Sequence, residues 1–357
     1  MKNRINHIVF LTPGFAADES DTKCLPYLQE YFLGLRRYIS DLTISIISIE
    51  YPAVSDPYLW QGISVFPLGI TNRGIASNFI AFQKTLSTLK KIQKRKPINI
   101  IHSFWLSKCA LVGHWTSKWL GIKHITTAMG VDVLPEKNRH LKFLSLSQMN
   151  LVMVSDFQVQ QFEKNYRGLE LAVIPWGISS ADSQKIPPSD KRTIDLLAVG
   201  DINYIKDYPL LIEIMAALHG KRKVKISIIG RDVSGGKIME QIRHRKLTDY
   251  IKVLGMLPNE DVLQYMRHAK VLVHVSSYES QGFVFLEALK SGMHIVSREV
   301  GIAKPLSKWR IAEDVPSFVQ AIEQSLANTA ERQATILIPI EETVNNYLRL
   351  YQEIVFI

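Results

Sequence analysis

At 357 residues the chain is long for a single core, and two domains of about 170 residues each is the natural division. Hydrophobic residues at 46% with 21% charged fit a globular protein, two cysteines (Cys24 and Cys109) exclude a disulfide framework, and no apolar run approaches the ~18 residues that span a bilayer. The net charge of +10 is uneven: residues 1–176 hold 20 Lys/Arg against 12 Asp/Glu, or +8, and the rest 23 against 21, or +2, so an anionic partner is expected for the first half.

The start, MKNRINHIVFLTPGFAA, has a basic tip and a short apolar run, but Pro13-Gly14 interrupts it, which favours a first strand over 7–11 rather than a signal peptide. The loop TPGFAADESD, the helical pattern CLPYLQEYFLGLRRY and the apolar LTISIISIEYP follow. This strand–helix–strand opening argues for a doubly wound, mostly parallel sheet. Gly14 is either a turn glycine or a point where a ligand approaches the backbone. Residues 77–96 put Phe79, Phe82, Leu86 and Leu89 on one helical stripe, with Lys84, Lys90, Lys91, Lys94, Arg95 and Lys96 on or beyond the opposite face. Such a helix either packs its stripe and solvates the rest, or lies on an anionic membrane surface.

Residues 98–133 read as strand, helix and strand. His102 closes the first strand and Asp132 follows the second, at the carboxyl edge where open α/β sheets bind ligands. His114 and His124 read as structural. Residues 151–178 repeat the alternation and end in Ile174-Pro175-Trp176-Gly177-Ile178. The polar segment 179–192, with Pro187-Pro188, is the expected hinge.

The second half opens with the strand TIDLLAVG, which ends at Gly200, and Lys206 precedes the next helix. Free amides, a positive dipole end and a mobile ammonium suit diphosphate binding; the alternative is a surface lysine. Arg231 follows the next strand, and IKVLGMLP carries Met256 and Leu257 after the one beyond. Asn259 is the expected cap of the helix that starts there, and residues 316–335 and 341–357 read as terminal helices. VLVHVSSYESQGFVFLEALKSGMHIVSREVG (271–301) is a complete βαβ unit: a buried strand, a polar loop, a helix stopped by Gly292 and a second strand. Glu279 lies in the loop, and Glu287 about a turn and a half into the helix. A loop and helix-face glutamate on solvated positions is the plainer reading of the pair.

The stretch Glu279-Ser280-Gln281-Gly282-Phe283-Val284-Phe285-Leu286-Glu287 resembles the E-x7-E element of the family 4 retaining glycosyltransferases, proteins of GT-B fold. The run after it resembles that family's EA-x-x-x-G-x-P-V-V, with His294 where proline is usual. Thr127-Ala128-Met129-Gly130-Val131-Asp132 is similar to its T-x-H-G-x-D, with Met129 in place of histidine. Gly200 and Lys206 match its G-R-x-x-x-x-K-G, but Asp201 stands at the arginine and Asp207 at the last glycine.

The resemblance implies two Rossmann-like domains facing across a cleft: an acceptor domain over 1–177, a donor domain over 178–340, and a helix over 341–357 crossing back to the first. It implies a nucleotide-diphosphate-sugar as donor substrate, with no cofactor and no metal, and a carbohydrate or lipid-linked acceptor. Glu279, Asp132 and Lys206 are the expected catalytic group, Glu279 meeting the sugar and Glu287 the ribose. Carboxylates suit vicinal diols because they accept through two oxygens. Gly14, Gly200, Lys206 and Arg231 are expected around the diphosphate, Arg231 supplying the charge lost at Asp201. Met256 and Leu257 are expected at the base, and Ser280, Gln281, Gly282, Phe283 and Val284 beside the donor. The expected setting is cytoplasmic, with peripheral contact to an anionic inner membrane face as a further expectation and no nucleic acid. The rival readings are a nucleotide-sugar epimerase of the same fold and a donor-binding relative of impaired activity.

Overall fold

The structure is a computed structural model that describes residues 4–71, 74–180, 186–188, 191–328 and 332–356. The first three residues, and 181–185 and 189–190 of the expected hinge, lie outside the described residues. The chain divides into two compact units, Met1–Gly177 with Ile340–Ile357 and Ile178–Pro339. Each is a Rossmann-like α/β unit on a mostly parallel sheet.

In the first unit the strands are β1 (His7–Gly14), β2 (Thr43–Tyr51), β3 (Tyr58–Trp60), β4 (Ile63–Pro67), β5 (Ile100–Phe104), β6 (Lys123–Thr127), β7 (Asn150–Met153) and β8 (Leu171–Val173). They lie in the order β3-β4-β2-β1-β5-β6-β7-β8, all parallel neighbours except the β3–β4 hairpin. The helices are α1 (Pro26–Tyr38), α2 (Ile75–Arg95), α3 (Lys108–Leu120) and α4 (Asp156–Glu163). Strand β1 is central, so its side chains are buried on both faces and its sequence reads as a continuous apolar run. Val9 and Leu11 face one layer, with Ile47, Ile101, Leu89 of α2 and Val112 of α3. Phe10, one position out of phase, faces the other, against Phe32 of α1 (4.7 Å between ring centroids) and Phe104 (5.7 Å, stacked).

Sequence reading did not anticipate the β3–β4 hairpin. Its turn places Gln61 and Gly62 at positive φ (47° and 72°), and a glutamine is an uncommon residue there, so the usual Asn-Gly or Asp-Gly signal is absent. Helix α2 also turns differently from the expected stripe. Ser77, Ala81, Thr85, Leu89 and Ile92 are buried, Phe82 and Leu86 are half-buried, and Phe79 stands 60% exposed.

In the second unit β9 (Ile194–Val199), β10 (Ile226–Ile229), β11 (Ile251–Val253), β12 (Ala269–His274), β13 (His294–Ser297) and β14 (Trp309–Ile311) form a parallel sheet in the order β11-β10-β9-β12-β13-β14. Its helices are α5 (Tyr208–His219), α6 (Lys237–His244), α7 (Asn259–His268), α8 (Phe283–Lys290) and α9 (Val315–Ala327). Order reverses between β9, which runs out to β10 and β11, and β12, which starts the other half, the switch point at which such sheets bind ligands. Helix α7 begins at Asn259 itself, with Pro258 as the residue before it and no side-chain cap. Asp314 and Ser317 form a capping box that starts α9, which ends at Ala327. The buried guanidinium of Arg192 donates to the carbonyls of Ala269 (2.5 Å) and Ser291 (2.7 Å), tying the start of β12 to the end of α8.

The last helix, α10 (Ile340–Phe356), belongs to the first unit. Its Tyr351 hydroxyl meets Tyr31 (3.0 Å) and His102 Nδ1 (2.6 Å), and its Tyr347 hydroxyl meets Thr127 Oγ1 (2.8 Å) and Trp176 Nε1 (3.1 Å).

Candidate active site

The expected donor residues of the second unit collect at the carboxyl ends of four adjacent strands. Gly200 follows β9, Gly230 and Arg231 follow β10, Met256 and Leu257 follow β11, and Glu279 follows β12. The loops approach closely because glycines line them. A β-carbon on Gly230 (φ 155°) would fall onto the Gly200 carbonyl. One on Gly200 (φ 141°) would meet the Lys206 stem at 3.1 Å, so the lysine is able to lie across the strand end. Ser277 then stitches the two central loops together, its amide (2.8 Å) and hydroxyl (3.0 Å) both donating to the Ile205 carbonyl.

That stitching brings Lys206 to Glu279. The ammonium and Glu279 Oε1 form an ion pair, and His274 Nε2 reaches the same oxygen at 2.8 Å. Burial alone would raise the Glu279 carboxyl, but the His274 hydrogen bond and the Lys206 charge outweigh it and hold the pKa at about 2. Burial pushes the His274 imidazole down, against the pull of Glu279. His274 was not among the expected site residues. The available signal was a single polar residue closing an apolar strand at the ligand-binding edge, five positions before Glu279.

Gly282 (φ 86°) leads into α8, and Gln281 behind it is buried. The Gln281 carbonyl accepts from the amide of Ile302 (2.9 Å), and a β-carbon on Gly301 would strike that carbonyl, so the loop after β13 braces the loop after β12. Ser280, Phe283 and Val284 are half-buried around the helix start, and Glu287 is half-buried one turn further on. Met256 is 67% exposed beyond β11.

The two acidic departures each hold an arginine. Asp201 bonds Arg231, Oδ2 to Nη2 at 2.6 Å and to Nε at 3.2 Å, and this pairing holds the Asp201 carboxyl low. Arg231 therefore does sit in the neighbouring loop, but with its charge matched locally. Asp207 adopts the left-handed backbone (φ 47°) that explains a glycine at this position, and its carboxylate accepts from Arg298 at 2.8 Å.

In the first unit Gly14 ends β1 with Tyr51 and Cys24 close around it. Asp132 is buried with both oxygens occupied by backbone amides: Oδ2 accepts from Leu106 (2.6 Å) and Met129 (3.3 Å), Oδ1 from Gly130 (2.6 Å). It joins the loops after β5 and β6, and burial pushes its carboxyl up although those amides pull it down. His102 is buried between Thr127 and Tyr351 and anchors α10. Among the described residues no three His, Cys, Asp or Glu side chains gather as a metal site, and no helix is long and apolar enough to cross a membrane.

Comparison with known proteins bears on the fold, and the structural neighbours are glycosyltransferases of GT-B fold. Residues 193–328 match the family Glycosyl transferases group 1. The chain is 24% identical over 306 residues to a phosphatidylinositol N-acetylglucosaminyltransferase polypeptide of Homo sapiens, covering 82% of this chain and 63% of that protein. It is 24% identical over 243 residues to alpha-monoglucosyldiacylglycerol synthase of Streptococcus pneumoniae, covering 60% and 54%. The chain thus spans less than two thirds of the length of these relatives. Among solved structures, a glycosyltransferase from Rickettsia africae superposes with a TM-score of 0.70 at 17% identity over 98% of this chain and 99% of that one. The Anabaena protein HepE, solved with UDP and glucose, gives 0.66 at 16% over 98% and 96%.

Proposed function

We propose that the protein, whose residues 193–328 match the family Glycosyl transferases group 1, is a glycosyltransferase that moves a sugar from a nucleotide-diphosphate-sugar to a hydroxyl acceptor with retained anomeric configuration. The observation that carries the reading is the Lys206–Glu279 pair at the switch point of the second sheet. A donor laid along that edge has its diphosphate at Gly200 and Lys206, its sugar hydroxyls at Glu279, its ribose at Glu287 and its base near Met256 and Leu257.

Catalysis on this reading is electrostatic. Lys206 and the amides at the start of α8 meet the charge that develops on the departing diphosphate, aimed before the reaction starts. The Glu279 carboxylate fixes the sugar and favours positive charge at the anomeric carbon. Attack and departure on the same face give retention without a covalent enzyme intermediate. In the first unit Asp132 holds the loops after β5 and β6 together.

The acceptor is proposed to be a sugar or lipid-linked hydroxyl in glycolipid or polysaccharide synthesis, since the two relatives are named for glycosylating phosphatidylinositol and for a diacylglycerol glycolipid. Support in the first unit is a groove of about 710 Å³ between α2 and the β3–β4 hairpin, with Tyr58, Leu59 and Phe66 beside Lys84, Lys91 and Arg95 and no carboxylate in its lining. A lipid phosphate on an anionic membrane face matches that charge. A second reading, a donor-binding relative of impaired activity, is favoured by the Asp201–Arg231 pair, which leaves the expected second cation of the diphosphate site neutralised.

Purified protein incubated with UDP-glucose, UDP-N-acetylglucosamine or GDP-mannose separates the readings. Free nucleotide released only with a lipid or sugar acceptor identifies the transferase, and the product's anomeric proton coupling reports retention. An isomerised donor identifies an epimerase. Binding without turnover identifies the impaired relative.

A further inference from the structure

His274 is the last residue of β12 and only 4% exposed. A buried imidazole requires a polar partner, and among the described residues the side chain that bonds it is Glu279, through Oε1 at 2.8 Å. The Phe285 ring meets the imidazole edge-on at 4.8 Å between centroids, which fixes the ring's orientation. Glu279 is ionised and only accepts, so the proton of the bond sits on His274 Nε2. Lys206 donates to the same oxygen.

Two donors on one oxygen differ in what they can do next. Lys206 carries its ammonium on four methylene groups and suits a diphosphate at the end of β9, whereas the imidazole is held within the sheet. When a donor draws the ammonium away, Glu279 keeps a single anchor. We infer that His274 is the positioning residue of Glu279: it keeps the carboxylate in place and ionised while Lys206 passes from Glu279 Oε1 to the diphosphate, and leaves Oε2 directed to the sugar hydroxyls. The Lys206–Glu279 contact thus joins two groups of the donor edge. The inference rests on the donor-site reading given above.

The test compares sugar nucleotides with free diphosphates by calorimetry on the full chain, using UDP-glucose, UDP-N-acetylglucosamine and GDP-mannose beside UDP and GDP. His274→Leu should keep the affinity for UDP or GDP within about twofold and weaken the matching sugar nucleotide about tenfold, the effect of losing one hydrogen bond to a charged group. His274→Gln, which restores an N–H donor, should recover most of that loss. A residue that merely supports the fold would lower both affinities together and resist rescue by glutamine. An unchanged ratio of the two affinities in His274→Leu overturns the inference alone; no binding of any of the five compounds by the unaltered protein overturns the donor-site reading and the inference with it. Should the leucine variant not fold, imidazole ¹⁵N spectra of the unaltered protein decide. A neutral ring protonated at Nε2 supports the inference, and one protonated at Nδ1 overturns it.

Discussion

Lys206 and Glu279 lie 73 residues apart in the chain and meet as an ion pair at the carboxyl edge of one sheet. They meet because β9 and β12 are neighbours and Ser277 binds the loop after one to the loop after the other. Both side chains are largely covered, 21% and 15% exposed, so the pair is more than a screened surface contact. Lys206→Ala should weaken UDP or GDP by about 1.5–3 kcal/mol, the range for a hydrogen bond to a charged group, and leave uridine or guanosine nearly unaffected. Calorimetry on both pairs checks it, and equal losses for nucleoside and diphosphate would assign the lysine to the scaffold.

Glu287 sits one turn into α8, half-buried behind the helix start. Glu287→Ala should cost about 1–3 kcal/mol of nucleoside diphosphate affinity through lost hydrogen bonds to the ribose. The discriminating comparison is with inorganic pyrophosphate, whose binding should not change. A parallel loss with pyrophosphate would mean that the substitution disturbed the helix rather than a ribose contact.

Asp201 replaces an expected arginine and holds the neighbouring arginine instead, Oδ2 to Arg231 Nη2 at 2.6 Å. The pair is exposed, 62% at Arg231 and 33% at Asp201, so it contributes little to stability. Its effect is on charge at the ligand edge. Asp201→Asn should leave the melting temperature nearly unchanged and tighten UDP or GDP severalfold at low ionic strength, with the gain fading as salt is added. No gain at low salt would show that Arg231 faces away from the diphosphate.

Acid sensitivity should come from two groups in different pH windows. His294 is fully buried and neither ring nitrogen finds a partner among the described residues; burial, and then Arg332 and Arg310, bring its pKa from 6.5 down to about 4. The unfolded chain therefore binds this proton more readily, so stability is complete above pH 6.5 and declines toward pH 4, by about 2 kcal/mol at pH 5. Glu279, lowered from 4.5 to about 2, acts later: its contribution is complete above pH 4.5 and is lost as pH falls toward 2. His294→Val should flatten the fall in melting temperature between pH 7.5 and 5 while leaving the Glu279 window as it was. The other buried histidines, His102 and His124 among them, keep part of the slope. A slope unaltered by the substitution would show that His294 finds a partner in solution.

The gathering of Gly200, Lys206 and Glu279 at one sheet edge is legible in the sequence because its parts are local: a strand-ending glycine, a lysine six residues on, and two carboxylates flanking a helix start. What was not legible depended on distance in the chain. The Asp201–Arg231 and Asp207–Arg298 pairs span 30 and 91 residues, and nothing in either local segment announces its partner. His274 was hidden for another reason. It sits in an apolar run in which a lone histidine reads as packing, and its role is apparent only once Glu279 folds back over the strand end. His102 and Asp132 show the opposite effect: both fall at ligand-binding edges of their strands, yet their polar atoms bond Tyr351 and Thr127 in one case and backbone amides in the other. The α2 stripe differs from the expected one because Phe79 looks like core by hydrophobicity, while small residues, Ala81 and Thr85, take buried positions, Ala81 in the cluster that holds Cys109 and Val112 of α3.

Helix α2 sets up the last prediction. Lys90, Lys91, Lys94 and Arg95 are all exposed along its final turns, and Lys84 with Lys91 and Arg95 flank the groove against the hairpin. The apolar residues at the other end of the helix, Phe79 and Ile80, are exposed as well, at 60% and 45%. A helix with this surface can stay in water, its cations serving solubility, or rest on a lipid face with its cations among phosphates. Each cation near an anionic surface contributes about 1 kcal/mol, and that contribution falls off within a Debye length of about 8 Å at physiological ionic strength. Changing all four of Lys90, Lys91, Lys94 and Arg95 to glutamine should therefore remove most of the binding to vesicles containing phosphatidylglycerol, while leaving binding to UDP or GDP in the other unit intact. Co-sedimentation with the unaltered protein should fall as salt is raised and be absent with phosphatidylcholine alone. Equal sedimentation with both lipids would rule out the charge-led membrane contact and leave the transferase reading standing, since no residue of the donor edge lies on α2.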